Sequence, residues 1–352
     1  MKRKNPQAGS LLIITLWMVA ILSTFAIAIA RYMSVELRVM RYRAARAQAR
    51  VMARSGVYVA MARLKADAGT YDWLGDPAWA LVQGDGLDPS RQWELQGSNA
   101  KVNPIGELTQ GSRLMVKITD EESKVPINKL SEAVPDAVVL AAIRNLFSSD
   151  LLAAKVVDYA DTNTDPCLPA VCGAEGSERD DAVAPPYVAK NAALKSCAEL
   201  LTIPGISVIP FNDLKTLCGE LSFYAEKSKI NVNTVSKEVL TGLGINAALP
   251  AILEYQSKDD ATFQHGSAAL TELITQLTTD VWQTQAVRDI EKPIIEYMDV
   301  ASQVFQVEST GESALSMGKK QTAIAAHVQA VVRRKDCGEG MPEPCILAWN
   351  EW

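Results

Sequence analysis

The sequence predicts an α+β fold: a long N-terminal helix, a small antiparallel sheet, and a large all-α insertion between the sheet-forming segments. Three observations carry this prediction. An uncharged apolar run near the N-terminus continues into a stretch without helix breakers. Strand-like segments occur near residue 113 and again beyond residue 300. Between them lies a block of about 160 residues with helical patterning.

The chain opens on "KRKNPQAGSLLIITLWMVAILSTFAIAIARY". Between Lys4 and Arg31 lie 26 residues without a charge. Ser10 to Ala30 gives 21 residues, about 31 Å as helix, which spans a bilayer core. A secretory signal has a shorter apolar region, although Ala28–Ala30 resembles a small-residue cleavage site and keeps that alternative open. The continuation points elsewhere. It has no breaker until Gly56 and is rich in Ala, Arg and Met. The expected helix runs from Leu11 to Lys65, roughly 80 Å. Its second half carries a stripe of Met33, Leu37, Met40, Ala44, Ala47, Val51, Ser55 and Tyr58. The four-and-three spacing is a seam for packing on another surface. Nine basic residues and one acid, Glu36, lie between Arg31 and Lys65. That basic face is either solvated or in contact with partner helices or lipid headgroups.

The formal net charge of −6 gives no bulk attraction to nucleic acid. The six cysteines fall as near pairs, Cys167 with Cys172, Cys197 with Cys218, and Cys337 with Cys345. An even count in an exported chain favours disulfides over free thiols. Sequence neighbours are the expected pairs, although six cysteines leave other connectivities open. Without a C-x-x-C and with two histidines, a structural zinc site is not expected. Counting basic residues around the span favours a cytoplasmic C-terminal part. The disulfide argument places that part outside the cytoplasm and outweighs the count.

Beyond Ala66 the stretch to residue 107 is rich in Gly, Asp, Pro and Trp and reads as loops with short elements. In "SRLMVKITDEESKVPINKL", Arg113, Met115, Lys117 and Thr119 alternate with Leu114, Val116 and Ile118, a half-buried strand. Residues 130–160 turn helical, with Ser131 and Ser148 or Ser149 as caps and Asp136 and Asp150 in first turns. A polar, cysteine-bearing loop follows from Thr162 to Lys190, then helical pieces broken at Pro204-Gly205. In "KINVNTVSKEVLTGLGINAALPAILEYQ", Asn233-Thr234 is the expected cap of a helix over Lys237–Gly242. Gly244 makes the turn and a second helix runs to Gln256, a helix-hairpin-helix pattern. Such hairpins can bind DNA phosphates through backbone amides. Here Lys237 and Lys258 face Glu238, Glu254, Asp259 and Asp260, and the negative balance argues for protein packing instead. Val304, Val307, Val328, Val331, Val332 and Ile346 favour strands, with Ser309 to Lys320 as a polar hairpin loop.

A basic leader, then Gly9, a small residue, an apolar run and a long helix resemble the processing signal of type IV pilins and type II secretion pseudopilins. The resemblance implies cleavage after Gly9 by a prepilin peptidase and methylation of the new N-terminus, Ser10. Pilins usually carry Glu at mature position five; this chain has Ile14. An intramembrane carboxylate is retained for a partner, and its absence resembles the K-type minor pseudopilins, the general secretion pathway protein K family. "INVN" at Ile230–Asn233 with "LTGLGI", "DEESKVPIN", "DYADTNTD" before "GAE", "FQVESTG" and the closing "VVRR…ILAW" extend the resemblance over nearly the whole chain.

No nucleophile–base constellation is present, and His265 and His327 lack motif partners, His327 reading as a satisfied sheet histidine. An enzyme is not expected. The site-like stretch is "DYADTNTDPCLPAVCGAEGSERDD". Asp161, Asn163 and Asp165 have the spacing of a calcium loop's first half. Pro166 and Cys172 then break the EF-hand form. The candidate ligands are Asp158, Asp161, Asn163, Asp165, Glu175 and Asp181, and a Cys167–Cys172 bridge would hold the loop. The alternative is a solvated acidic loop. The resemblance adds calcium binding in the helical domain. Relatives commonly read Gly-Ala-Glu-Asp, whereas here Glu175 is followed by Gly176-Ser177-Glu178.

The expected organisation is a leader over 1–9 and a helix over 10–65, membrane-spanning over 10–30. A pilin-like part over 66–127 follows, then a helical insertion of SAM or helix-hairpin-helix type over 128–292, then a second pilin-like part over 293–352. The resemblance implies a single-pass inner-membrane protein with its C-terminal domain in the periplasm, capping a pseudopilus tip. Its implied partners are I- and J-type minor pseudopilins, the major pseudopilin, the prepilin peptidase and the secretin or secreted cargo, without nucleic acid. A membrane-anchored helix-hairpin-helix binding protein, for DNA uptake or a type IV pilus, is the alternative.

Overall fold

The computed structural model describes residues 8–67, 69, 71–73, 92–96, 112–131, 136–182, 186–225, 229–256, 263, 272, 276, 294–295, 297–317, 320–335, 337–338, 340 and 343–352. The leader over 1–7, most of the loop-rich stretch 74–111, His265 and most of 264–293 lie outside the described residues.

Helix α1 spans Ala8–Ala66, 59 residues without interruption. From Leu12 to Ala30 its side chains are exposed, and the helix is long and apolar enough to cross a membrane. Polar side chains within it are satisfied locally. The Thr15, Ser23 and Thr24 hydroxyls donate to the carbonyls of Leu12, Val19 and Ile21 at 2.7–2.9 Å, as an apolar solvent demands.

The C-terminal half of α1 lies across one face of a five-stranded antiparallel sheet. Its strands are β1 (Gln92–Gln96), β2 (Arg113–Asp120), β9 (Val304–Met317), β10 (Lys320–Arg333) and β11 (Cys345–Glu351), in the order β1-β2-β9-β10-β11. Period-2 alternation sends Leu114, Val116, Val307, Val328, Ala330 and Val332 to the helix side. The helix answers with Ala49, Met52, Ala53, Val57 and Ala60. This is a different stripe from the expected one: Ala44, Ala47, Val51 and Tyr58 are exposed. Small residues win the sheet-facing side because they let two backbones approach closely. Gly56 and Gly311 show how closely. A Cβ on Gly56 would collide with Ser309, and one on Gly311 with the backbone of Ala49 and Ala53. The expected hairpin loop over Ser309–Lys320 is mostly strand, since β9 and β10 pair from Val304↔Arg333 to Met317↔Lys320.

Between β2 and β9 the chain builds a second core. The short strand β3 (Val125–Pro126) leads to helices α2 (Ala137–Phe147), α3 (Asp150–Ala160) and α4 (Pro169–Cys172). Strands β4 (Arg179–Asp180) and β5 (Tyr187–Val188), helix α5 (Phe211–Gly219) and strands β6 (Leu221–Ser222) and β7 (Ile230–Asn231) follow. Helices α6 (Lys237–Gly242) and α7 (Leu249–Gln256) and strand β8 (Met298–Asp299) complete it. Val139, Ile143, Val156, Leu200, Ile206, Leu240 and Ile252 lie in one contiguous apolar cluster. The Asp136 side chain caps α2, accepting from Val138 and Val139, whereas Ser131 sits in a preceding 3-10 turn. Ser149 caps α3. Helix α6 is capped by Ser236, which accepts from Val239 at 3.1 Å, and not by Asn233-Thr234. Those two are engaged elsewhere. Asn233 brackets the backbone of Phe263, and Thr234 donates to Asp120 at 2.6 Å. Gly244 turns the hairpin at φ +86°, where a side chain would be strained.

The two cores meet at a buried polar joint. Asp120 Oδ2 accepts from Asn231 at 3.0 Å, Thr234 at 2.6 Å and Ser302 at 2.6 Å, and its Oδ1 accepts from the Glu122 N–H at 2.8 Å. Arg334 donates to Asp67 at 2.8 Å and Asp72 at 2.5 Å, and lies 4.8 Å over the Phe305 ring. Asp72 in turn accepts from the Ser302 N–H at 2.6 Å. Burial pushes Asp120 up to about 6, against the pull of the Ser302 and Thr234 bonds.

Candidate functional site

The acidic loop follows from how α3 ends. Asp158 points inward from its last turn, and Asp161 closes it with an extended backbone that frees the loop. Cys167 returns to the helix end, where its N–H donates to Asp158 Oδ1 at 2.7 Å. Disulfides join Cys167 with Cys172, Cys197 with Cys218, and Cys337 with Cys345. The first closes this loop.

The expected ligands divide into two groups. Asp158 and Asp161 are buried, at 0% and 3% exposure. Asn163, Asp165, Glu175 and Asp181 are exposed. Asn163 is used inside the loop, donating to Asp161 Oδ2 at 2.7 Å and accepting from the Asp165 N–H at 2.8 Å. Asp181 pairs with Arg179 at 2.8 Å on the surface. Among the described residues, no three acidic, histidine or cysteine side chains already converge as a metal cage.

Among the described residues, buried oxygens nevertheless collect here without hydrogen-bond partners: Asp158 Oδ2, Asp161 Oδ1, Glu178 Oε1, Asn191 Oδ1 and the Tyr187 hydroxyl. Their charges interact. Burial and the neighbouring Asp158 push Asp161 up to about 6. Burial also raises Asp158, and it raises Glu178, with Asp158, Asp161 and Asp165 adding repulsion. Burial raises Tyr187 too, with Asp158 contributing. An unpaired buried carboxylate oxygen is costly, and a hard cation with oxygen ligands is the chemistry that satisfies several at once. Gly176 keeps the space open, since a Cβ there would overlap Asp158 Oδ2. Sequence spacing does not assign Glu178, Tyr187 or Asn191 to this cluster. The signal for Glu178 was the shifted acid after Gly-Ala-Glu; Tyr187 and Asn191 had none.

Gly9 and Ser10 lie in the first turns of α1. The helix-hairpin-helix packs inward, with the Asn145 amide donating to the Gly242 carbonyl at 2.7 Å. His327 sits in β10, its Nδ1 2.9 Å from the Thr310 hydroxyl and its ring stacked on Trp352.

The fold defines a class: a pilin-like helix-on-sheet body carrying an inserted helical domain. Among solved structures, it is similar to a chain in the crystal structure of the GspK–GspI–GspJ complex from the enterotoxigenic Escherichia coli type 2 secretion system. The likeness covers 92% of this chain and 99% of that one, with a TM-score of 0.55 and 14% sequence identity. No protein-family model matches this chain, and no curated protein matches it. The fold is thus GspK-like, as the sequence resemblance implied.

Proposed function

We propose that this chain is a non-enzymatic minor pseudopilin of a type II secretion system. In this reading it is anchored in the inner membrane with its folded body in the periplasm. One observation carries the reading beyond fold likeness. Helix α1 has two stripes: one is buried on its own sheet, and the other, from Met33 to Tyr58, is apolar and exposed apart from the half-buried Ser55, and is continuous with the membrane span. A helix that has already packed its domain and still presents such a face is suited to packing among other helices.

Ile14 in place of an intramembrane acid supports a position at the tip, where no further subunit docks ahead, and a part in starting assembly. The helical insertion would then cap the filament. The I- and J-type minor pseudopilins are the proposed neighbours, because the similar solved structure is a GspK–GspI–GspJ complex. The major pseudopilin and the secretin or secreted cargo are further proposed contacts. A prepilin peptidase would cleave after Gly9 and methylate Ser10.

Calcium belongs to the same proposal. Asp158, Asp161 and Glu178, with Asn191, would hold it, because each supplies a buried oxygen without a hydrogen-bond partner among the described residues. The ion would fasten the disulfide-closed loop to the end of α3 and screen the repulsion among the carboxylates.

The N-terminal sequence and mass of the mature protein test the proposal. Methylated Ser10 is the expected start. A start at Arg31 or Tyr32 would identify a secreted globular protein instead. An intact Met1 would end both readings.

A further inference from the structure

We propose that Arg41 and Arg43 select an acidic helix of another protein as the partner for the exposed stripe of α1. This rests on the reading of that stripe as a helix-packing face and adds which helix it takes. From Met33 through Leu37, Met40, Ala44 and Ala47 to Val51, the stripe alternates four and three, the spacing of a coiled-coil seam. Every one of these side chains is exposed. Ala44 and Ala47, in the middle, let a second helix come close. In such a seam the residues flanking the apolar ones set partner choice. At 3.6 residues per turn, Arg41 lies about 80° to one side of the seam and Arg43 about 80° to the other.

Both arginines are exposed, and among the described residues neither has a hydrogen bond or an ion pair. The next arginines along the Arg43 flank are occupied. Glu351 of β11 holds Arg54 at 2.8 Å and Arg50 at 3.5 Å. This flank therefore takes a carboxylate where the fold supplies one. Arg43 lies about two turns short of Arg50, away from Glu351. Glu36, the one acid between Arg31 and Lys65, is about two turns away in the other direction.

Distance and charge choose the occupant. Arg41 and Arg43 stand roughly 16 and 20 Å along the helix beyond Ala30, where the expected span ends. The field of an anionic membrane decays over about 8 Å at physiological ionic strength, so headgroups serve Arg31 before either of them. A second copy of this chain, packed in parallel on the stripe, would set arginine against arginine, and like charges facing each other are costly. A helix whose own apolar seam is edged by Glu or Asp meets both arginines and keeps the apolar contact. Its acids also fix the register of the two helices. Arg38 and Arg46 lie about 140° from the seam and take no part.

The full chain in neutral detergent is titrated with a fluorescent three-heptad peptide that carries Ile and Leu on its seam and Glu on both flanks. A counterpart carries Lys on the flanks, and binding to empty micelles is subtracted. The Glu peptide is expected to bind saturably and about tenfold tighter than the Lys peptide, a preference that shrinks as salt rises. Arg41→Glu/Arg43→Glu should lose the preference. Arg38→Glu/Arg46→Glu, with the same change in net charge, should keep it. Both double variants should melt with wild type, because all the altered side chains are exposed. Equal binding of the two peptides, abolished by Val51→Glu, would keep the stripe as a helix-packing face and overturn its acidic partner. Binding of neither peptide would overturn both. Loss of the preference in both double variants would also overturn the proposal, by assigning it to bulk charge of the kind a membrane surface reads.

Discussion

Gly311 of β9 lies directly under Ala49 of α1, so close that a single added Cβ would strike the Ala49 carbonyl oxygen and the Ala53 N–H. The obstacle is backbone, which cannot rotate aside. Gly311→Ala is therefore expected to destabilise the fold by about 1–3 kcal/mol through overpacking. Gly219, at the end of α5, has open space where a Cβ would sit, with no atom within 4 Å. Gly219→Ala should stay within about 0.5 kcal/mol of wild type. Thermal or denaturant melts of the full chain in detergent measure both, and equal effects would refute the close-approach account.

Asp120 binds the two cores through donors from both. Asn231 and Thr234 come from the insertion, and Ser302 from the segment returning to the sheet. Asp120→Asn would set an amide against these donors and should cost about 2–3 kcal/mol. The pH dependence has a definite sign. Asp120 is pushed up from 3.8 to about 6 in the fold, so between these values the folded state holds the extra proton. Its contribution favours folding at low pH and is lost as pH rises toward 6, by about 3 kcal/mol in all. Wild type and Asp120→Asn should therefore differ more at pH 4.5 than at pH 7. A gap that widens with pH would contradict this.

The acidic loop adds a cation to the same argument. Asp161 is raised to about 6, and Asp158 and Glu178 are raised as well. Without a cation, each loses stability as pH rises through its folded value. Calcium competes with those protons, so its stabilisation should grow with pH and be largest above 6. At one hundred times its dissociation constant, calcium would add about 2.7 kcal/mol. Melts with calcium and with chelator at pH 5 and pH 7.5 measure this. Asp161→Asn and Glu178→Gln should abolish the calcium effect, whereas Asp181→Asn, on the surface beside Arg179, should not. No shift in wild type would remove calcium from the proposal.

What could be read from the sequence was whatever is local. The long helix, the strand at Leu114–Ile118 and the turn at Gly244 depend on neighbours within a few residues. Contacts between distant segments were harder to read. The stripe on α1 was drawn through Val51 and Tyr58 because large apolar side chains mark a seam. The sheet instead took Ala49, Ala53 and Ala60, since close approach favours small residues. The same cause hid a strand. "ESTGES" reads as a loop because its residues are small and polar. They are small because α1 crosses above them: Ser309 and Ser313 are buried, and Ser313 donates to Gln48 at 2.9 Å. Asn231 of "INVN" and Asp120 of "DEES" were legible as motifs but not as partners, being 111 residues apart. In the acidic loop, Asp161 was read from spacing and Asp158 from the acids around it, whereas Asn191 reaches the cluster from beyond the loop.

The exposed stripe of α1 makes the last prediction. Val51 is 62% exposed, and Tyr58 is 58% exposed with its ring 6.5 Å from that of Trp349. If the stripe serves partner helices, Val51→Glu should leave the melting temperature of the isolated chain unchanged, because Val51 is exposed and lies outside the core that α1 forms with its sheet. The same change should weaken association with partner subunits about tenfold or more, because a buried carboxylate without a partner is costly at a helix interface. Ala53→Glu, on the sheet-facing stripe, should instead unfold the domain. Copurification from cells that carry the whole secretion system, read beside melts of each purified variant, separates the two stripes. Full recovery of partners by Val51→Glu would leave this face to solvent or lipid and remove the main structural support for the filament role.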